Sequence, residues 1–214
     1  MFIGHYGVGF GAKKAAPRIS LGTLFLAAQF LDLLWPTFLL LGWERVAVSP
    51  PGSRIPLTFV SYPWTHSLLM ACVWSIIVGG VYWLVRRNAR GFLVLALLVV
   101  SHWVLDLFVH DPDLALVPWG ASHVGMGLWN DPMLELVLEL AIFAAGVFLY
   151  YRTTKAKDGI GRHGAWVLVL LLLVAHLSNY FGPPPPNAAM LGWFGQILWL
   201  FVILAYWVDR HRTA

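Results

Sequence analysis

The sequence predicts an all-α integral membrane protein: one domain over residues 1–214, built as a bundle of about six transmembrane helices with a short half-inserted helix at its N-terminus. Three observations carry this. Hydrophobic residues make up 59% of the 214 and charged residues 11%, with a mean hydropathy of +0.73. A soluble domain is about 25% charged, so this chain cannot clothe a water-facing surface. Six apolar runs reach the roughly 17–25 residues that a spanning helix needs. The basic residues stand in short clusters between those runs, which is the pattern of topology signals rather than of a nucleic-acid surface. The 12 Trp and 7 Tyr suit two interfacial belts.

The N-terminal "MFIGHYGVGFGAKK" is too short to span. Gly4, Gly7 and Gly11 share one helical face, where another helix can approach closely. A helix entering at Lys13–Lys14 would carry His5 about 13 Å deep at about 1.5 Å per residue; the alternative is a frayed interfacial segment. No basic n-region precedes it, so no cleavable signal peptide is expected. The spans fall near 20–42, 65–85, 91–110, 131–151, 164–181 and 189–208. They should be helices, because an open sheet cannot satisfy its backbone in lipid. Trp35–Pro36 reads as an interfacial anchor and kink in the first. The single cysteine, Cys72, excludes an intrachain disulfide.

Lys13, Lys14, Arg18, Arg86, Arg87, Arg90, Arg152, Lys155, Lys157, Arg162, Arg210 and Arg212 fall on one side of the membrane, and Arg45 and Arg54 on the other. The positive-inside rule then puts both termini in the cytoplasm. The loops 43–64, 111–130 and 182–188 face outward, the last a rigid turn, "GPPPPN".

The spans carry groups that lipid disfavours, at a cost of at least ~2.5–3.5 kcal/mol for each charge. Asp32, with Gln29 one turn earlier, lies in the outer half of the first span. His66 opens the second. "SHWVLDLFVH" (101–110) places His102, Asp106 and His110 on one stripe of the third. Asp131, Glu135 and Glu139 follow at four-residue steps in the fourth, and His176 with Asn179 sits in the fifth. With alternating span directions, all of these fall in the outer half or the middle of the bilayer. Independent structural roles do not account for that shared depth; one polar site open to the outside does.

His102 and Asp106 can hold a divalent cation from one helical turn, with His66 and Asp32 as ligands from neighbouring helices. Glu135 and Glu139 fit further ligands, a general base, or partners that orient the imidazoles. Taken singly, each group has a plainer reading. His102–Asp106 can be a buried hydrogen-bonded pair, Asp32 a paired structural carboxylate, and His176–Asn179 a helix contact. His110 and His123 border an outer loop, where water would satisfy them.

His5 in a Gly-rich N-terminal helix, an aspartate ahead of a proline (Asp32 to Pro36), "THS" (65–67) and "SHWVLD" (101–106) occur in that order. The set resembles a family of bacterial inner-membrane metal-dependent hydrolases, described as LexA-binding and grouped with zinc-dependent phospholipases C. The resemblance runs from about residue 3 to 140 and extends to "GLWNDPMLELVLE" (127–139). It implies a metal site with His5, Asp32, His66, His102 and Asp106 as ligands. Two departures stand out. The family's "PDIDH" is here "QFLDLLWP", and Tyr62 and Pro63 replace a histidine–arginine pair ahead of "THS". They point to fewer metal ions than in the prototype, or to lost catalysis.

Three functions fit. The first is a membrane-embedded hydrolase of the bacterial inner membrane, using a divalent metal, most suitably zinc, with Glu135 or Glu139 as base and a phospholipid or lipid-linked phosphate as substrate. The second is a small ion- or proton-coupled transporter, which should show a pathway to the cytoplasm and paired broken helices or repeats. The third is an interaction protein retaining a degenerate metal site.

Overall fold

Local signals in the chain set several helix starts. In the computed structural model, which describes residues 1–50 and 55–214, α2 (Leu21–Ala28) is capped by Ser20, whose side chain accepts from the Thr23 amide. Helix α5 (Leu68–Arg86) is capped by Ser67, and α6 (Ala89–Val109) by Asn88. Helix α7 (Pro132–Thr153) starts with Asp131 as cap and a proline in its first turn. Each cap oxygen satisfies an amide that the helix cannot bond itself. A turn of π-helix over Ile160–Gly164 leads into α8 (Ala165–Phe181).

Five helices, Leu68–Arg86, Ala89–Val109, Pro132–Thr153, Ile160–Phe181 and Ala188–Arg210, are long and apolar enough to cross a membrane. A bent pair, α2 and α3 (Phe30–Leu40), which meet at 58°, brings the number to six when taken as one span. The bend is therefore not at Pro36 but one turn before Asp32, at Gln29. There the Gln29 amide donates to the Phe2 carbonyl and the Ala28 carbonyl faces His102. Polar demand inside the bundle, rather than proline geometry, breaks this span. The last span is also interrupted, into α9 (Ala188–Gly195) and α10 (Leu198–Arg210). Gly192 and Gly195 of α9 press on Leu40 and Pro36 of α3, where a side chain would collide.

The expected outer loop 43–64 carries an antiparallel hairpin, β1 (Arg45–Val48) with β2 (Leu57–Ser61), followed by a single turn, α4 (Pro63–His66). Arg54, one of the two basic residues assigned to that side, lies outside the described residues. Two shorter pairs close other loops, β3 (Leu114–Ala115) with β4 (His123–Val124), and β5 (Lys155–Ala156) with β6 (Arg212–Thr213).

Helix α1 (Ile3–Ala15) is the centre of the bundle, not a peripheral piece. Ile3, His5 and Tyr6 have no exposed surface, and α7, α2 and α6 pack around them. Gly7 makes this possible: a Cβ there would lie 2.7 Å from the Ile142 carbonyl oxygen, and one at Gly146 would strike the Gly7 carbonyl. Aromatic edges fill the rest, with Phe10 against Phe25, Phe143 and Tyr150. Large apolar side chains on the outer helix faces are open, Val85 at 73% and Leu97 at 67%, as lipid contact requires.

One acid at the basic end gathers three donors from three helices. Asp209 of α10 accepts from Lys13 Nζ at 2.7 Å, the Leu21 amide at 3.0 Å and the Tyr150 hydroxyl at 3.0 Å. Lys13, which reads in the sequence as a solvated topology signal, is buried. Asp209→Ala strands that ammonium and should destabilise the protein by about 3–5 kcal/mol. Thermal unfolding in detergent measures it. The Lys13→Met/Asp209→Leu double variant should recover most of the loss; no recovery would mean that the ion pair is not what the single variant removes.

Candidate metal centre

Four elements deliver the five side chains that the sequence singled out as ligands. Helix α6 presents His102 and Asp106 one turn apart. His66 ends α4, where Ser67 turns to extended backbone, and its carbonyl is pinned by Trp103 Nε1 at 2.9 Å. Asp32 comes from the first turn of α3, just past the bend, and His5 from α1. His5, Asp32 and His102 form one trio of ligand atoms within 4.8 Å of one another; His66, His102 and Asp106 form another.

His66 Nε2 lies 3.3 Å from Asp32 Oδ1 and 3.8 Å from Asp106 Oδ2. His102 Nε2 lies 3.6 Å and 3.2 Å from the same two oxygens. Ligands around a tetrahedral zinc at ~2.0–2.2 Å stand roughly 3.3–3.6 Å apart. The four imidazole–carboxylate separations fall close to that spacing and are mostly longer than a charge-assisted hydrogen bond. His5 lies beside it, its ring stacked on His102 at 3.6 Å and its Nε2 3.1 Å from Asp106 Oδ1. The Met1 amine meets that same Oδ1. All but Asp32 are closed off; Asp32 keeps 21% of its side chain exposed and marks the open side.

The outer hydrogen bonds of the two imidazoles define their chemistry. His102 Nδ1 meets the Ala28 carbonyl at 2.8 Å, and a carbonyl only accepts, so Nδ1 carries a proton. Thr65 Oγ1 gives its one proton to Glu44 Oε2 at 2.7 Å, with Glu44 as a carboxylate, and therefore accepts from His66 Nδ1 at 2.7 Å. In the neutral form, both Nε2 lone pairs then point at Asp32 and Asp106. Two lone pairs aimed at two carboxylates, one buried and one partly exposed, repel unless a cation stands among them. His102 Nε2 and His5 Nδ1 are buried without a hydrogen bond, as ligand atoms awaiting such a cation would be. The residues present fit a divalent metal.

Glu44 is the member that sequence reasoning missed. A left-handed turn at Gly42 (φ 73°) folds the chain over the end of α3, with the Trp43 and Glu44 amides both on the Phe38 carbonyl. Glu44 thereby reaches the Thr65 amide at 2.8 Å. A lone acid in a loop has no spacing to reveal this. Glu44→Gln or Thr65→Val should leave the fold standing and weaken metal binding by about 10–100-fold, the usual cost of losing a partner that orients a ligand. Competition with a chelator of known affinity reads it.

The other candidates lie apart from the quartet. Glu139 accepts from the Phe2 and Gly4 amides at 2.8 Å each, capping the start of α1 where no side chain of its own does so. Its carboxylate holds His5's helix in place. Glu135 sits one turn along the same face. His176 stacks on Phe2. His110 is not solvated as expected: it is 4% exposed, bonded to Tyr62 and Asp113 and packed on Trp129, because β3 and β4 fold the outer loop over it. His123 is exposed.

A family model described as YdjM inner membrane protein matches residues 11–182. The chain belongs to the YdjM inner membrane protein family. It is accordingly a multi-pass protein of an inner-membrane family, with its crossings as described. No curated protein and no solved structure matches it. The segment matched to the family holds Asp32, Glu44, His66, His102, Asp106, Glu135 and Glu139, whereas His5 precedes it.

Proposed function

We propose that the protein is a membrane-embedded metal-dependent hydrolase that binds zinc through His66, His102, Asp32 and Asp106, with His5 alongside, and acts on a lipid ester or phosphoester. The observation that carries the reading is the pair of imidazole lone pairs aimed at two carboxylates. Bound zinc would bring the pKa of water to about 7 and polarise an ester oxygen. The chain's own residues do the rest. Partly exposed Asp32 faces the open side of the site. A cavity of about 410 Å3 on the hairpin side is lined by Tyr62, Asp113 and His123. Tyr62, whose ring packs 5.5 Å from that of His66, is the wall residue that links this cavity to the metal ligands. In this reading the basic end is cytoplasmic, both termini with it, and the site lies in the outer half of the bilayer. Glu135, which lies apart from the quartet, serves as the base in this reading only through an intervening water, while Glu139 acts through α1.

The test incubates the purified protein in nanodiscs of defined phospholipid with zinc or with chelator, and follows headgroup release by mass spectrometry. Zinc-dependent release that His102→Ala abolishes supports the reading. Zinc bound near one-to-one with no release from phospholipid or lipid-linked phosphate would overturn hydrolysis. One observation favours the second function, an ion- or proton-coupled permease: the first span breaks beside the polar site, as discontinuous helices border transporter sites. Metal-free protein that carries protons across liposomes would establish it.

A further inference from the structure

A second cleft lies at the basic end, away from the metal ligands. Helices α2 and α5 each pack on α6, and between them opens a groove of about 580 Å3, within the ~300–1,000 Å3 range of ligand clefts. Its body is apolar: Leu26 and Phe30 on one wall, Ile77 and Val81 on the other, Leu95 at the floor. Its mouth is polar. Arg18 and Arg86 stand there, from two different segments, both exposed and neither with a hydrogen bond or ion pair among the described residues. A hydroxyl chain lines the same mouth, from Ser20 to Thr23 at 2.8 Å and from Thr23 to Tyr206 at 2.8 Å.

We propose that this groove is a binding site for one anionic phospholipid of the leaflet that meets the basic end, its phosphate between Arg18 and Arg86 and an acyl chain along the trough. Charge selects the occupant: two unpaired guanidinium groups, with the one hydroxyl proton that the Ser20–Thr23–Tyr206 chain leaves free, match a phosphodiester oxyanion. The trough is lined by apolar side chains of α2, α3, α5 and α6, to which a hydrocarbon chain is the matching ligand. Basic pockets between transmembrane helices hold anionic headgroups in this manner. The lipid is not the substrate of the metal centre. His102 lies thirteen residues along α6 from Ala89, about 20 Å at 1.5 Å per residue, so a phosphate at the arginines is far from the ligands. The proposal stands whether or not the metal reading does.

Native mass spectrometry of the detergent-solubilised protein tests it, titrated with dioleoyl-phosphatidylglycerol and dioleoyl-phosphatidylcholine, which share their chains. The anionic lipid should be retained one-to-one at roughly 30-fold lower concentration, the product of about fivefold per arginine. Arg18→Gln/Arg86→Gln should bring it to the zwitterionic level. Both side chains are exposed and unpaired, so the fold should stand. Val81→Trp keeps both arginines but fills the trough, and should weaken both lipids. Arg90→Gln, at the same end but outside the groove, should change nothing. Equal binding of the two lipids, an Arg90→Gln loss as large as that of the groove pair, or full displacement by glycerol phosphate alone would each overturn the proposal.

Discussion

His102→Ala protein is expected to carry no divalent metal where the wild-type protein carries it near stoichiometry. His102 belongs to both ligand trios, so no metal position in the cluster survives its removal. The loss should exceed the ~10–100-fold expected for the orienting residues Glu44 and Thr65. Elemental analysis of the purified wild-type and variant proteins, each after zinc is added back, is the measurement. His102→Gln is the companion, because its amide can still donate to the Ala28 carbonyl while its weak ligand atom replaces imidazole. If His102→Gln folds and loses the metal, the defect is coordination and not packing. Metal retained at wild-type levels in both variants would sink the site. No metal in any of the three would leave two imidazolium–carboxylate pairs, which is the permease reading.

Gly7→Ala and Gly146→Ala should each destabilise the protein, and Gly11→Ala should not, although Gly7 and Gly11 share one face of α1. A Cβ at Gly7 meets backbone of α7 on three atoms at 2.7–2.8 Å, and one at Gly146 meets the Gly7 carbonyl. Backbone cannot yield as a side-chain tip can, so α1 must shift. Overpacking of this kind costs about 1–3 kcal/mol. At Gly11 the nearest atoms are Leu149 Cδ1 at 3.5 Å and Gly146 Cα at 3.7 Å, ordinary contacts. Alanine there should bring the ~0.5–1 kcal/mol that a helix gains over glycine. Thermal unfolding separates the three variants, and metal content provides a second readout. A displaced α1 withdraws His5 and breaks the Glu139 cap, so Gly7→Ala should lose metal affinity while Gly11→Ala keeps it. Equal effects at Gly7 and Gly11 would mean that α1 does not dock against α7 through Gly7.

The glycine face illustrates how much the sequence could say. Its spacing identifies a surface for close approach, but not that α7 fills it, nor that α1 lies at the centre of the bundle. His102 and Asp106 are legible as a pair, because one helical turn fixes their relation. His66 and Asp32 are legible as candidates through the cost of polar groups in lipid. Glu44 is not, because its role depends on a left-handed turn at Gly42 and on a threonine whose single proton must go somewhere. Glu139 reads as acid or base chemistry; its observed partners are two backbone amides of another helix. Lys13 reads as a topology signal; Asp209, 196 residues away, buries it.

By itself, the sequence determined the membrane class, the apolar helices long enough to cross and the candidate cation ligands, since hydropathy, span length and side-chain chemistry are properties of short segments. The tertiary structure decided which nitrogen of each imidazole faces the carboxylates, where the first span breaks, and which acids stand beside the imidazoles and which bond to backbone amides or to Thr65. Those outcomes depend on groups distant in the chain, each needing a hydrogen-bond partner that only the packed bundle supplies.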